Sequence, residues 1–121
     1  KGWSGNGTRP KSEAVPESVD WDLWLGGAPK TDYSSGYHPA NWRRYWDFGG
    51  GTFADMACHH MDLPFWALGL RHPTKVEATG PKPDPITAPE WAICKYEFPA
   101  REKLPAVTLT WYDGGKRPKL L

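Results

Sequence analysis

Hydrophobic and polar residues alternate along the last third of the chain, and this alternation predicts β-strands. Apolar side chains stand at every second position in two segments, residues 92–98 and residues 107–111. Residues 75–78 form a shorter candidate. Each of the longer segments offers one apolar face, and the proline-containing link between them allows antiparallel pairing. We therefore expect antiparallel strands over residues 74–121.

The strongest helix signal follows three consecutive glycines, Gly49 to Gly51. Thr52 is placed to cap a helix, and Asp55 three residues later approximates a capping box. Pro64 lacks a backbone N–H, so we expect a kink or a restart of the helix close to it. Gly69 is typical of a helix end. Residues 49–69 are therefore predicted to form one helical region.

Residues 1–48 show no sustained helical or strand period and contain many turn-forming residues. The exception is residues 20–25, where Asp20 can cap one helical turn that places Trp21 and Trp24 on the same side. An irregular segment of this length is more often functional than idle. We expect this loop-rich segment to lie on the substrate side of the molecule.

Length and composition favour one globular domain over residues 1–121 of class α+β. The chain has 15 basic and 14 acidic residues and a formal net charge of +1, so we expect neither a nucleic-acid nor a membrane partner. Its 2 cysteines are too few for a disulfide framework, and both are predicted to be buried free thiols. The sequence starts without methionine or a targeting segment, which favours a portion of a longer protein.

Asp55 and His59 stand four residues apart on the predicted helix, so their side chains share one face. A carboxylate beside an imidazole is a proton-handling pair, because the acid orients the ring and stabilises its charged form. We therefore assign Asp55 and His59 as candidate catalytic residues. Alternatively, Asp55 only caps the helix and His59 is structural. His60 points about 100° away around the helix and is expected to be structural.

A metal site is another interpretation of this segment, since Asp55, His59, His60 and Asp62 fall within eight residues. Only Asp55 and His59 share a face, so a third ligand would have to come from Asp62 or from His38. We therefore predict no metal site.

Gly49, Gly51 and Ala54 imitate the glycine fingerprint of dinucleotide-binding proteins. The fingerprint must follow a buried parallel strand, and the charged residues within 43–47 make the preceding segment a poor strand. We therefore assign no cofactor-binding residue within this chain.

A polar and aromatic group precedes the glycines. It is of the kind that binds sugars or polyols by stacking and by fork-shaped hydrogen bonding. Alternatively, its arginine is a surface residue stacked on a tryptophan. The candidate substrate-binding residues are Tyr37, His38, Trp42 and Arg43.

Residues 49–62, which read GGGTFADMACHHMD, resemble the glycine-rich, D-x-x-x-H-containing helix of the Gfo/Idh/MocA oxidoreductases. Other segments are similar to a bacterial branch of that family. They are VDWDLWLG at 19–26, YHP at 37–39, NWR at 41–43 and WYDGGKRP at 111–118. The resemblance covers nearly the whole chain.

The resemblance implies an N-terminal Rossmann domain, absent from this chain, that binds NAD or NADP. It also implies a C-terminal domain with a mainly antiparallel sheet, which supplies substrate contacts and often the oligomer interface. This chain is similar to part of that second domain. The family's catalytic Asp and His fall on Asp55 and His59, which act with a lysine of an E-K-P motif in the first domain.

The implied reaction is hydride transfer from a secondary alcohol carbon of a sugar or polyol to a nicotinamide. His59 would take the hydroxyl proton and Asp55 would orient the ring. Three alternatives stay open. The enzyme could oxidise a sugar only transiently to permit elimination or glycosidic cleavage, the chain could be a noncatalytic module of a homo-oligomer, or it could be a metal-dependent hydrolase.

Overall fold

The computed structural model describes residues 2–119, so residue 1 of the predicted loop-rich segment and residues 120–121 of the predicted strand region lie outside it. In chain order its elements are α1 (Trp21–Leu25), a 3-10 helix (Asn41–Arg44), α2 (Gly51–Ala67), β1 (Lys75–Thr79), β2 (Ile93–Phe98) and β3 (Val107–Tyr112). The strands form one antiparallel sheet in the order β1-β2-β3. The predicted α+β fold, with one main helix, antiparallel strands and long loops, is confirmed.

The sheet has one apolar and one charged face, as the alternation predicts. Cys94 and Phe98 are buried on the apolar face. On the other face the Lys95 ammonium donates to Glu97 at 2.7 Å, and Lys95 lies opposite Glu77 of β1. Opposite charges therefore stand beside one another there, which favours this register.

Helix α2 packs on the apolar face of the sheet through aromatic side chains. Phe53 meets Trp111 edge to face at 5.8 Å between ring centroids, and Phe65 meets Phe98 in the same way at 6.0 Å. Ala57, one turn after Phe53, is buried on the same side. None of the helices within residues 2–119 is both long and apolar enough to cross a membrane.

The start of α2 differs from the prediction. The helix begins at Gly51 with Gly50 as its N-cap, and no side chain caps it. Thr52 was expected to be the cap, and this is wrong because Thr52 already lies inside the first turn. Its hydroxyl oxygen instead accepts a hydrogen bond from the backbone N–H of Trp3 at 2.6 Å.

The end of α2 bears on two expectations. We expect a kink or a restart near Pro64, and the helix runs through Pro64 to Ala67 without a restart, so the kink stays a prediction. Proline removes only its own N–H from the helix. The turn after Pro64 is stabilised by the packing of Phe65 on Phe98 and by the hydrogen bonds of Gly69 and Leu70 at the helix end. Gly69 adopts a φ of +57° and Leu70 N–H donates to Phe65 O at 2.9 Å, which is the 6→1 bond of a Schellman motif. Gly69 therefore ends the helix as predicted.

The irregular first third of the chain is anchored by an aromatic core. Asp20 caps α1 as predicted, since its carboxylate accepts from Leu23 N–H at 3.0 Å. Trp21 and Trp24 stack with ring centroids 4.4 Å apart, also as predicted. The buried members of this core are Trp21, Leu25, Tyr33, Tyr37 and Tyr45.

The two cysteines differ in exposure. Cys94 is buried, and this burial raises the pKa of its thiol, whereas Cys58 is exposed. The prediction of two buried thiols is right for Cys94 and wrong for Cys58, because Cys58 falls on the side of α2 that the sheet does not cover. Both are free, as predicted.

We expect an aromatic disulfide reagent to label Cys58 rapidly in the native protein, while Cys94 reacts only after unfolding, because the thiolate must be both formed and accessible. The absorbance of the released aromatic thiol measures this. The Cys58→Ser variant serves as the control, and fast native labelling of its Cys94 would contradict the burial described here.

Candidate active site

A turn of glycines brings the 3-10 helix and α2 together. Gly49 packs on the backbone of Arg43, and a Cβ at Gly49 would lie only 2.7 Å from the Arg43 carbonyl oxygen. Glycine permits this close approach because it has no side chain. As a result Arg43 Nε donates to Asp55 Oδ1 at 2.8 Å. The predicted catalytic carboxylate and a predicted substrate-binding arginine therefore meet.

Asp55 receives a second hydrogen bond from the start of the chain. The indole Nε1 of Trp3 donates to Asp55 Oδ2 at 2.9 Å. The Arg43 guanidinium lies over two indoles, 5.0 Å from the ring centre of Trp3 and 4.4 Å from that of Trp42. Contacts of this kind contribute roughly 0.5–2 kcal/mol each. Both oxygens of the carboxylate are thus held by donors that are themselves held in place.

The backbone around Trp3 is tied to the segment that precedes β2. Gly5 N–H donates to Ala88 O at 3.3 Å, and Gly7 N–H donates to the hydroxyl oxygen of Thr87 at 2.9 Å. Thr87 and Ala88 are both buried. Residues 3–7 therefore lie across the start of α2 in a defined position, which places the Trp3 indole at Asp55.

A small pocket of about 180 Å³ opens beside the Asp55–Arg43 pair. The side chains of Arg43 and Asp55 are 29 % and 28 % exposed, so the pair is half-buried but still reachable by a ligand. Trp42, the three glycines and Ala54 complete the wall. The pocket thus offers a hydrogen-bond acceptor, a charged donor and an aromatic ring, which together can bind a hydroxylated ligand.

His59 lies one helical turn after Asp55, on the exposed side of α2. Because the helix is continuous, the two residues share one face. Within the described part of the chain no hydrogen bond joins their side chains, since the Asp55 oxygens bond to Arg43 and Trp3. His59 is open to a substrate or to another domain, and its role as proton acceptor stays a prediction.

The other predicted site residues lie apart from this pocket. Tyr37 is 1 % exposed and packs edge to face on Tyr45 within the aromatic core. His38 lies 6.4 Å from Trp24, ring centroid to ring centroid. Their roles as substrate contacts stay predictions. His60 lies on the sheet side of α2, 6.2 Å from Trp111, so it points away from Asp55 as expected.

The segment before the glycine turn differs from that of a dinucleotide fingerprint. A 3-10 helix precedes the turn where the fingerprint requires a strand. A Cβ on Gly51 would overlap Ala88, so this glycine serves the close packing of α2 on the Ala88 segment. Within residues 2–119 no group of three or more His, Cys, Asp or Glu side chains is placed to hold a metal ion.

Sequence reasoning missed Trp3. It stands 52 residues before Asp55 in an irregular segment, and no period or motif links the two. The presence of an aromatic residue among glycines was the only signal, and it does not indicate a partner.

A comparison with known families supplies the remaining finding. The profile described as the oxidoreductase family C-terminal alpha/beta domain, of the Gfo/Idh/MocA proteins, matches residues 1–103. No curated protein matches the chain significantly. The matched residues include α1, α2, β1 and β2 together with the whole pocket around Asp55. This chain therefore belongs to the Gfo/Idh/MocA oxidoreductase family, as part of its C-terminal domain.

Proposed function

We propose that the chain is the substrate-binding part of an NAD(P)-dependent oxidoreductase that acts on a secondary alcohol of a sugar or polyol. The observation that carries the proposal is the Asp55 carboxylate, which is held by Arg43 and Trp3 at a pocket and stands one turn before an exposed histidine. Family membership makes oxidation chemistry the natural use of such a site.

In this proposal His59 accepts the proton of the substrate hydroxyl. The His59 side chain is exposed and does not pack in the core, so it can contact a ligand bound on the side of α2 that faces away from the sheet. Asp55 orients the imidazole, and its own orientation is fixed by its two donors. Arg43 and Trp42 bind neighbouring hydroxyls and C–H groups. Tyr37 and His38 are also predicted as substrate contacts. Tyr37 would contact the substrate from the aromatic core, and His38 from its position beside Trp24.

The cofactor would be NAD or NADP held mainly by another domain, because a 3-10 helix precedes the glycine turn of this chain where a dinucleotide fingerprint requires a strand. When bound, a nicotinamide supplies the hydride acceptor. The contribution of this chain is then limited to binding the alcohol, aligning it and taking its proton.

The test is to supply the intact protein with NAD⁺ or NADP⁺ and a panel of sugars and polyols, and to follow reduced nicotinamide by its absorbance. Net formation of the reduced cofactor is expected. A transient oxidiser would instead release a cleaved or dehydrated sugar with no net reduction. Absence of both products across the panel would contradict the proposal.

A noncatalytic role in a homo-oligomer is the second candidate. Strand β1 is exposed at all five positions and lies at the edge of the sheet, and Val76 on it is 56 % exposed. An exposed edge strand can pair with a second copy. Sedimentation would detect such an oligomer, and turnover lost in an Asp55/His59 double variant of unchanged sedimentation would show that assembly is not the sole function.

A further inference from the structure

Two more pockets adjoin the Asp55 pocket along the aromatic core. The first has about 440 Å³ and is lined by Trp24, Leu25, Ala28, Trp42, Asp47 and Phe48. The second has about 510 Å³ and includes Arg9, Asp32, Tyr37 and Asp47. Trp42 borders both the Asp55 pocket and the 440 Å³ pocket, and Asp47 borders the 440 Å³ and 510 Å³ pockets. The Asp55 pocket and the 440 Å³ pocket are therefore neighbours at Trp42, and the 440 Å³ and 510 Å³ pockets are neighbours at Asp47.

We propose that the substrate is a glycoside or oligosaccharide. Its reacting unit lies at Asp55, and its next unit stacks in the pocket between Trp24 and Trp42, which we call the aromatic pocket. This inference rests on the proposed function, because it names the substrate class of the same site.

The two neighbouring pockets differ in volume. Sites for small molecules are typically about 300–1,000 Å³. The Asp55 pocket, at about 180 Å³, is too small to be the whole of such a site, whereas the aromatic pocket, at about 440 Å³, falls within the range. A ligand long enough to pass Trp42 would use both.

The walls of the aromatic pocket are rigid. Trp24 is stacked on Trp21 and meets Phe48 edge to face at 5.1 Å. The indole N–H of Trp42 donates to Pro39 O at 3.1 Å, which fixes the plane of that ring. Rings that are already ordered bind a flat apolar surface without a further loss of side-chain entropy. The C–H face of a sugar ring is such a surface.

The three pockets differ in the charges that line them. Each pocket contains a carboxylate, namely Asp55, Asp47 and Asp32 in turn. Asp47 is fixed by the Arg9 guanidinium at 2.6 Å and is 22 % exposed, so it can still accept a hydrogen bond from a hydroxyl. In the Asp55 pocket the carboxylate is paired with Arg43, and the 510 Å³ pocket holds Arg9 and Lys30 beside its two carboxylates. The aromatic pocket differs, because Asp47 is the one charged side chain among its described lining residues. A unit bound there is therefore expected to be neutral and to donate hydroxyl protons.

The test compares kcat/KM of the intact protein, with NAD⁺ or NADP⁺ present, for glucose and galactose against cellobiose, maltose and lactose. For at least one disaccharide, kcat/KM is expected to be roughly tenfold higher than for its monosaccharide, because stacking of the second unit on ordered aromatic rings contributes binding energy of that size. Ala28→Trp, which fills the aromatic pocket, should abolish this advantage, so that kcat/KM for the disaccharide falls to the value for the monosaccharide. Ala28→Leu fills less of the aromatic pocket and should remove only part of the advantage of the disaccharide.

Gly27→Trp is the matched control, because a Cβ at the neighbouring Gly27 meets no atom within 4 Å and the side chain would enter solvent. It should leave both kcat/KM values unchanged. Equal values for monosaccharides and disaccharides, unaltered in Ala28→Trp, would overturn the inference and leave the proposed function standing. Absence of turnover with every neutral sugar would overturn the proposed function and the inference with it.

Discussion

Replacing His59 by alanine in the intact protein is expected to lower kcat roughly 100-fold or more, because a general base contributes about 10²–10⁴ to a proton-transfer step. The melting temperature should stay unchanged, since His59 is exposed on α2 and supports no packing. Steady-state kinetics with a sugar that the panel shows to be turned over, together with a thermal unfolding curve, measure the two effects.

His60→Ala is the matched control for this variant. His60 is the next residue on the same helix and is also exposed, but it lies near Trp111 on the sheet side. Its kcat should stay within about twofold of the parent value, as for a residue that takes no part in proton transfer. Near-normal turnover in His59→Ala, or an equal loss in both variants, would refute the assignment of His59.

Replacing Gly51 by alanine is expected to lower the free energy of unfolding by about 2–4 kcal/mol, because backbone strain and overpacking act together. Gly51 has a φ of +69°, in the left-handed region. A Cβ there would overlap the Ala88 side chain and lie 2.9 Å from Trp3 O. The start of α2, the Ala88 segment and Trp3 would all have to shift, so the hydrogen bond from Trp3 to Asp55 should weaken as well.

Gly115→Ala separates the two causes of this loss. Gly115 also has a left-handed φ, of +83°, but a Cβ there meets no atom within 4 Å. Only strain of about 1–2 kcal/mol is therefore expected. Urea unfolding of both variants gives the comparison. If the free energy of unfolding falls no more in Gly51→Ala than in Gly115→Ala, Gly51 is not tightly packed against Ala88 and Trp3.

The features predicted correctly from sequence depend on neighbours along the chain. Asp20 caps α1 three residues ahead, and Gly69 closes α2 through bonds to the preceding turn. The alternation within β2 and β3 predicts both the strands and the buried side chains Cys94 and Phe98. At each of these positions the backbone geometry of nearby residues and the burial of the side chain favour the same type of residue. The sequence pattern is therefore enough to predict the feature.

The features that sequence reasoning missed depend on partners far away in the chain. Thr52 would cap an isolated helix, yet its hydroxyl bonds to Trp3, 49 residues earlier. The oxygens of Asp55 accept hydrogen bonds from Trp3 and Arg43, two partners that its spacing to His59 does not indicate. Spacing along a helix identifies which side chains can meet, but it does not determine which donor reaches a carboxylate first.

A double-mutant cycle in kcat/KM tests most directly whether Asp55 and His59 act as one unit. The cycle compares Asp55→Ala, His59→Ala and the double variant with the parent protein. We predict that the double variant loses less kcat/KM than the product of the two single losses, because the part of the Asp55 effect that acts through the histidine is already gone in His59→Ala. Losses that simply multiply would contradict this account and would assign Asp55 to anchoring Arg43 and Trp3 only.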